Sequence, residues 1–315
     1  MRIRVENTIK LYDQDGYATE FTASVMTCEQ IEEGKYEIIL NQTLFFPEEG
    51  GQSPDTGFID GQEVVDVQIK NDVITHTMTA PLEVGSVVTG KIDWTHRFSH
   101  MQQHTGEHIY SGLVHNRFGY NNVGFHLSDQ VVTMDFDGVL TADDVNEIEK
   151  QANQVIVDNI DVQASFPSKE ELKDMDYRSK IEIDGQVRLI TIPGVDVCAC
   201  CAPHVKKTGE VGMLKVMSCQ NYKGGVRLSI LCGFRALDSF CQKAEIVTKL
   251  GSLLSSKEEE ILATVTRLKE GQQSLKAELA GSRQEIMEIK LSQLSKDEEN
   301  VVLFESEVDN GVMRN

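Results

Sequence analysis

Hydrophobic and polar positions follow three successive patterns along the chain. Up to about residue 91 the apolar residues fall in short, β-branched runs, at Val25 and Met26, Tyr36 to Leu40, Val64 to Val67, and Val73 to His76. Turn pairs such as Asp60-Gly61 and Asn71-Asp72 separate them. Closely spaced short strands predict a small barrel or sandwich over residues 1–91. From about residue 92 to residue 236 strand and helix periods mix. Residues 98–118 predict a helix, and residues 123–127 and 131–136 predict strands. Thr141 to Asp144 has the pattern of a capping box. It would open a helix whose apolar stripe is Val145, Ile148, Ala152, Val155 and Ile156. Asp184-Gly185, set among Ile181, Ile183, Val187 and Leu189, predicts a hairpin. Residues 209–218 and 225–232 add two strands. Helices against a largely antiparallel sheet predict an α+β domain over residues 92–236.

After Leu237 the period becomes helical. Val247, Leu254, Ile261, Leu268, Leu275 and Ile289 share one heptad position, with Ser282 interrupting. The companion position holds Val265, Leu279 and Ile286, but also Gly251, Glu258 and Gln272. Residues 237–299 therefore predict a long helix or helical hairpin with an imperfect coiled-coil seam, and Gly271 and Gly281 are the expected breaks. Val301, Val302, Leu303 and Phe304 read as a strand, so residues 300–315 are expected to begin a further C-terminal domain.

Charge and cysteine usage narrow the function classes. A net charge of -20 excludes broad, nonspecific binding of polyanions. Any such partner needs a local basic patch, and Lys206, Lys207, Lys215, Lys223, Arg227 and Arg235 form the candidate, expected to have few acids beside it. No run reaches the length of a membrane span, and the charged N-terminus lacks a signal peptide's apolar stretch. Seven cysteines, three of them at Cys198, Cys200 and Cys201, read as a reduced cytoplasmic protein with a metal site or reactive thiol.

The candidate chemistry lies in two stretches. His104-Thr105-Gly106-Glu107-His108 places two imidazoles one helical turn apart on the same face. Cys200-Cys201-Ala202-Pro203-His204 offers a thiolate and an imidazole at the same spacing. His104, His108, Cys200 and His204 together make a donor set that suits Zn²⁺. A third stretch, from Thr43 through Gly50-Gly51-Gln52 to Gly57, has two readings. It is a hairpin loop that needs glycine at positive φ, or a close-approach loop in which backbone amides, Thr43 or Gln52 contact a ligand.

These stretches resemble, in order, motifs of one family. The loop at Gly50-Gly51-Gln52, the HxxxH helix, the run from Cys200 to Gly212 and the segment Gly224-Gly225-Val226-Arg227 are similar to those of AlaX-type free-standing alanyl-tRNA editing proteins. The editing domain of alanyl-tRNA synthetases shares them. The resemblance implies an N-terminal small β-barrel, an α+β zinc-binding editing domain and a C-terminal helical arm. It implies hydrolysis of mischarged tRNA(Ala), chiefly seryl-tRNA(Ala) and in some members glycyl-tRNA(Ala). It further implies that His104, His108, Cys200 and His204 hold zinc. Thr43, Gly50, Gly51, Gln52, His126 and Arg227 would face the aminoacyl end; independently of the resemblance, the basic cluster makes Lys206, Lys207, Lys215 and Lys223 the expected contacts to the acceptor stem. His126 is equally readable as a strand histidine with no contact to substrate. A homodimer through the helical arm, or through a further C-terminal domain, is the expected assembly.

The chain departs from the family pattern at Cys201-Ala202-Pro203, where Gly-Gly-Thr is usual, and at Glu49, where a third glycine is common. Two rival readings remain. His104 to His108 also matches HxxEH, a zinc-peptidase motif with Glu107 as general base, but this leaves Cys200 and His204 unexplained. A non-catalytic zinc-containing RNA-binding module would need the metal and no cleft beside it.

Overall fold

The computed structural model describes residues 7–130, 132–179 and 185–293. The chain divides into two compact units, Met1–Ser239 and Phe240–Asn315. The first unit is mixed α+β and opens with eight short strands: β1 (Ile9–Lys10), β2 (Glu20–Glu32), β3 (Lys35–Leu40), β4 (Gln42–Thr43), β5 (Gly57–Ile59), β6 (Gln62–Lys70), β7 (Val73–Met78) and β8 (Val87–Ile92). Six of them pair as one sheet in the order β2-β3-β7-β6-β5-β8, which closes on itself as a barrel. β1 and β4 pair in parallel outside that ring. Alternation selects the interior: Phe21, Ala23 and Val25 on β2, and Val88 and Ile92 on β8, are buried between more exposed neighbours. Asp60-Gly61 and Asn71-Asp72 take positive φ at both positions, as tight hairpins with right-handed strand twist require.

The second part of this unit follows directly. α1 (Trp94–Phe118) leads to β9 (Asn122–Leu127) and β10 (Val132–Phe136). α2 (Ala142–Asp158) follows, then β11 (Gln163–Ser165), β12 (Leu189–Ile192), β13 (Asp196–Ala199), β14 (Leu214–Tyr222) and β15 (Gly225–Cys232). An antiparallel sheet runs β14-β15-β10-β9, and β11-β12-β13 make a smaller one. Met101, Ile109, Tyr110 and Val114 of α1 share a core with Ile148 and Ala152 of α2 and with Met134, Phe136, Leu228 and Ile230 of the larger sheet. The Thr141–Asp144 capping box is formed as expected: Asp144 N–H donates to Thr141 Oγ1 at 3.1 Å, and Thr141 N–H donates to Asp144 Oδ2 at 2.9 Å.

One expectation falls partly outside the described residues and one changes. Of the hairpin expected at Asp184-Gly185, residues 181–184 lie outside the described residues. Gln186 to Arg188 is not in a strand, and β12 pairs instead with β11 and β13. The stretch from Gly209 begins as a short helical turn, Thr208–Val211, and becomes a strand only at Leu214.

The helical region holds α3 (Gly233–Leu254), which begins in the first unit, and α4 (Ile261–Ser292). α4 passes unbroken through Gly271 and Gly281, the expected break points. An isolated glycine costs a helix only about 1 kcal/mol, which the strong helix formers around it offset. The break comes at Ser255, in the left-handed region. Ser256 N–H donates to Gly251 O at 2.9 Å and Ser255 N–H to Ser252 O at 3.3 Å, a Schellman closure that satisfies the end of α3. The strand expected at residues 300–304 lies outside the described residues. Among the described residues no helix is long and apolar enough to cross a membrane.

Candidate metal centre

α1 is fixed at both ends before it presents any histidine. Asp93 caps its N-terminus, accepting from His96 N–H, and Gly119 closes its C-terminus in the left-handed region. Buried Arg97 ties its first turn to the barrel, donating to Asp55, Leu44 O and Gly16 O. Gly106 brings α1 against β15: a Cβ there would lie 2.3 Å from Cys232 Sγ. On the other side, Arg188 donates to Cys200 O at 2.9 Å and Ala202 O at 2.8 Å, which holds the loop after β13 in place.

Between them His104, His108, Cys200 and His204 converge, with one donor atom from each within 4.8 Å of all the others. Cys200 Sγ is 3.4 Å from His104 Nε2 and 3.3 Å from His204 Nε2. Each imidazole is also gripped from behind through Nδ1: His104 by Gln52 Oε1 at 2.7 Å, His108 by Asp196 Oδ2 at 2.9 Å, His204 by Thr105 Oγ1 at 3.0 Å. An amide carbonyl or a carboxylate can only accept, so Nδ1 of His104 and of His108 carries the proton. Nε2, the other ring nitrogen, then faces the cluster, the arrangement seen behind metal-ligating histidines.

Burial opposes charge here, and pairing overrides it for two groups. Desolvation would raise the Cys200 thiol, but the His104 ring, by charge and hydrogen bond, and the hydrogen bond from His108 hold it well below the ordinary thiol range. Desolvation would lower His108; Cys198, the hydrogen bond to Asp196, and Cys200 raise it instead. Burial pushes His204 down to about 3, so its imidazole is neutral. A thiolate and three nitrogen donors with oriented rings fit Zn²⁺.

The glycine loop supplies one of the orienting groups. Gly50 and Gly51 both take positive φ, and a Cβ on Gly51 would lie 2.4 Å from Phe125 O. Leu127 N–H donates to Gly51 O at 2.7 Å and Ser53 N–H donates to Leu127 O at 3.0 Å, so the loop lies along β9. That registers Gln52 onto His104. The hairpin reading of this loop thus accounts for its glycines, and its close approach is to Phe125.

Two family models match the chain: tRNA synthetases class II (A), over residues 2–96, and the threonyl and alanyl tRNA synthetase second additional domain, over residues 187–229. An alanine–tRNA ligase of Ignicoccus hospitalis is 31% identical over 293 residues, 89% of this chain but 32% of that protein. The alanyl-tRNA editing protein Aarsd1-B of Xenopus laevis is 32% identical over 280 residues, covering 84% of this chain and 67% of its own length. Aarsd1 of Mus musculus is also 32% identical, over 276 residues and 67% of its length. The chain belongs to the alanyl-tRNA editing protein family.

In this family member two of the remaining expected site residues, Thr43 and Arg227, have protein partners, and His126 is exposed. Thr43 is wholly buried beside the barrel core, its hydroxyl 2.9 Å from His76 Nε2 and accepting from Phe45 N–H at 3.1 Å. His126 is exposed on β9, while Phe125 lies with its ring 4.8 Å from that of His104. Strand alternation thus gives the cluster Phe125 and turns His126 outward. Arg227 forms a two-point pair with Asp135, at 2.6 and 2.7 Å, and stacks on Tyr222.

The basic patch is interleaved with acids, contrary to the expectation of few beside it. Lys206 lies 3.8 Å from Asp15, Lys207 2.9 Å from Asp161 and Lys215 2.6 Å from Glu149. Lys223 sits over Tyr222. These acids are far away in sequence, so a local scan misses them. Glu107, the peptidase reading's general base, is buried and accepts from Ser111 and Asn122, both at 2.6 Å.

Sequence reasoning missed Asp196, Thr105, Arg188 and the Arg97–Asp55 pair. Thr105 had a visible signal, lying within the HxxxH stretch. Asp196 lies eight residues from His204 and had none.

Proposed function

We propose that the chain is a zinc-dependent aminoacyl-ester hydrolase acting on mischarged tRNA(Ala), with seryl-tRNA(Ala) the principal substrate and glycyl-tRNA(Ala) the second. The observation that carries this is the convergence of a thiolate and three imidazoles, each ring gripped at Nδ1, in a chain whose relatives are named alanyl-tRNA editing proteins. His104, His108, Cys200 and His204 would hold the ion. When bound, zinc supplies Lewis-acid polarisation and positive charge near a developing oxyanion.

The chain's own residues do the positioning. Gln52, Asp196 and Thr105 keep the three rings aimed inward. Gly50 and Gly51 let the loop pass close to Phe125 and Cys201, and Phe125 packs against His104 and limits water on that side. In the reaction, water oxygen bonds to the ester carbonyl carbon, the bond from that carbon to the ribose oxygen breaks, and the ribose oxygen takes the proton. Free amino acid and tRNA leave. An aminoacyl ester is intrinsically labile, so orientation and oxyanion stabilisation suffice without a dedicated protein nucleophile.

The test is deacylation of seryl-, glycyl- and alanyl-tRNA(Ala) by one preparation, zinc-loaded and then metal-stripped. Fast release of serine, slow release of alanine and loss of both on stripping support the reading. Equal rates with and without metal would remove zinc from it. No deacylation of any of the three would remove the hydrolase.

A further inference from the structure

One turn before the HxxxH stretch, α1 carries another pair of histidines at the same spacing. His96 and His100 lie with ring centroids 4.2 Å apart. Asp129, in the turn after β9, brings Oδ1 to 2.9 Å from His96 Nε2 and 3.6 Å from His100 Nε2. One donor atom from each of the three lies within 4.8 Å of the others. His100 is wholly buried. Its Nδ1 donates to His96 O at 3.0 Å, and a carbonyl only accepts, so Nε2 carries a lone pair. Among the described residues that Nε2 has no hydrogen-bond partner. A buried lone pair aimed at a carboxylate is costly unless a cation sits between them.

We propose that His96, His100 and Asp129 form a second binding site for a divalent ion of the zinc class. Two imidazoles and one carboxylate suit Zn²⁺, Ni²⁺ or Cu²⁺ better than Mg²⁺ or Ca²⁺, which prefer oxygen. Three protein donors leave a coordination position for water, and the exposed Asp129 opens the site to solvent. Ligation through His96 Nε2 moves that ring's proton to Nδ1. The site is separate from the four-donor cluster: an offset of eight residues is about 12 Å along a helix, whereas paired catalytic metals sit about 4 Å apart. Its ion would tie the turn after β9 to the first turns of α1. Arg235, bonded to Ser99 Oγ and Ser128 O, places positive charge nearby, so the site is the weaker of the two.

The test is equilibrium dialysis of the full chain against zinc, followed by elemental analysis. Wild type should bind two ions per chain in two affinity classes. His96→Gln, at a part-buried position, and Asp129→Asn, at an exposed one, should lose the weaker class and keep the tighter. Cys200→Ala should lose the tighter class and keep the weaker, which separates this proposal from the hydrolase reading. A single ion in wild type would overturn it, and so would a weaker class that survives both His96→Gln and Asp129→Asn.

Discussion

Replacing Asp196 by alanine tests the geometry of the metal centre most sharply. Asp196 is almost fully buried and holds two partners: His108 Nδ1 at 2.9 Å through Oδ2, and Arg178 through Nε at 2.7 Å and the terminal nitrogen at 2.9 Å. Two losses follow. Arg178, largely buried, is left without its carboxylate, and breaking such a pair costs about 3–5 kcal/mol in stability. His108 loses the acceptor that fixes its tautomer, which typically lowers metal affinity about 10–100-fold, roughly 1.4–2.7 kcal/mol. Asp196→Asn should fall between, because one amide oxygen can serve His108 or Arg178 but the NH₂ opposes whichever it faces. Zinc affinity would be read by competition with a chromogenic chelator, and stability by thermal unfolding of zinc-free protein. Folding and metal loss are thereby measured separately. If Asp196→Ala bound zinc within about twofold of wild type, the claim that Asp196 holds His108 in its ligating tautomer would be wrong.

Three further outcomes are expected. Cys200→Ala should lose zinc while Cys201→Ala keeps it, because only Cys200 lies among the imidazoles and burial pushes the Cys201 thiol up; the reverse result would shift the ligand register by one residue. Thr43→Val should cost about 1–3 kcal/mol by leaving His76 and the Phe45 amide unsatisfied. Unchanged stability with a selective loss of seryl-tRNA hydrolysis would instead make Thr43 a substrate residue. Burial pushes His76 down to about 4. The unfolded chain takes up that proton near pH 6.5, so stability should fall as pH drops from about 6.5 to about 4, by up to roughly 3 kcal/mol. Urea titrations of wild type and His76→Gln across that window check it, and equal pH slopes would mean that His76 protonates freely inside the fold.

Much of the architecture was legible because it is local. β-branched runs between positive-φ turn pairs predicted the strands of the barrel, and the capping pattern at Thr141 predicted the start of α2. Where local signals compete, the outcome depended on partners. The strand after Gly185, β12, takes its register from β11 and β13, partners distant from the local turn signal. Glycines 271 and 281 were the strongest breakers in the arm. Yet α4 runs through them, and the chain turns at Ser255, where a left-handed residue closes α3.

The sequence by itself marked which four side chains could meet as a metal centre: i,i+4 spacing fixes a shared helix face for His104 and His108, and the Cys200–His204 run, which folds as a loop after β13, supplied a thiolate and an imidazole to complete the donor set. Only the tertiary structure decided what stands behind them. Gln52 reaches His104 from the barrel loop, Asp196 reaches His108 from β13, and neither pairing has a sequence period to betray it. The same holds for charge. Lys207 and Lys215 read as a free basic face until folding brought Asp161 and Glu149 beside them. Periodicity encodes which face a residue occupies on its own element; which residue of another element meets that face is set by how whole elements pack.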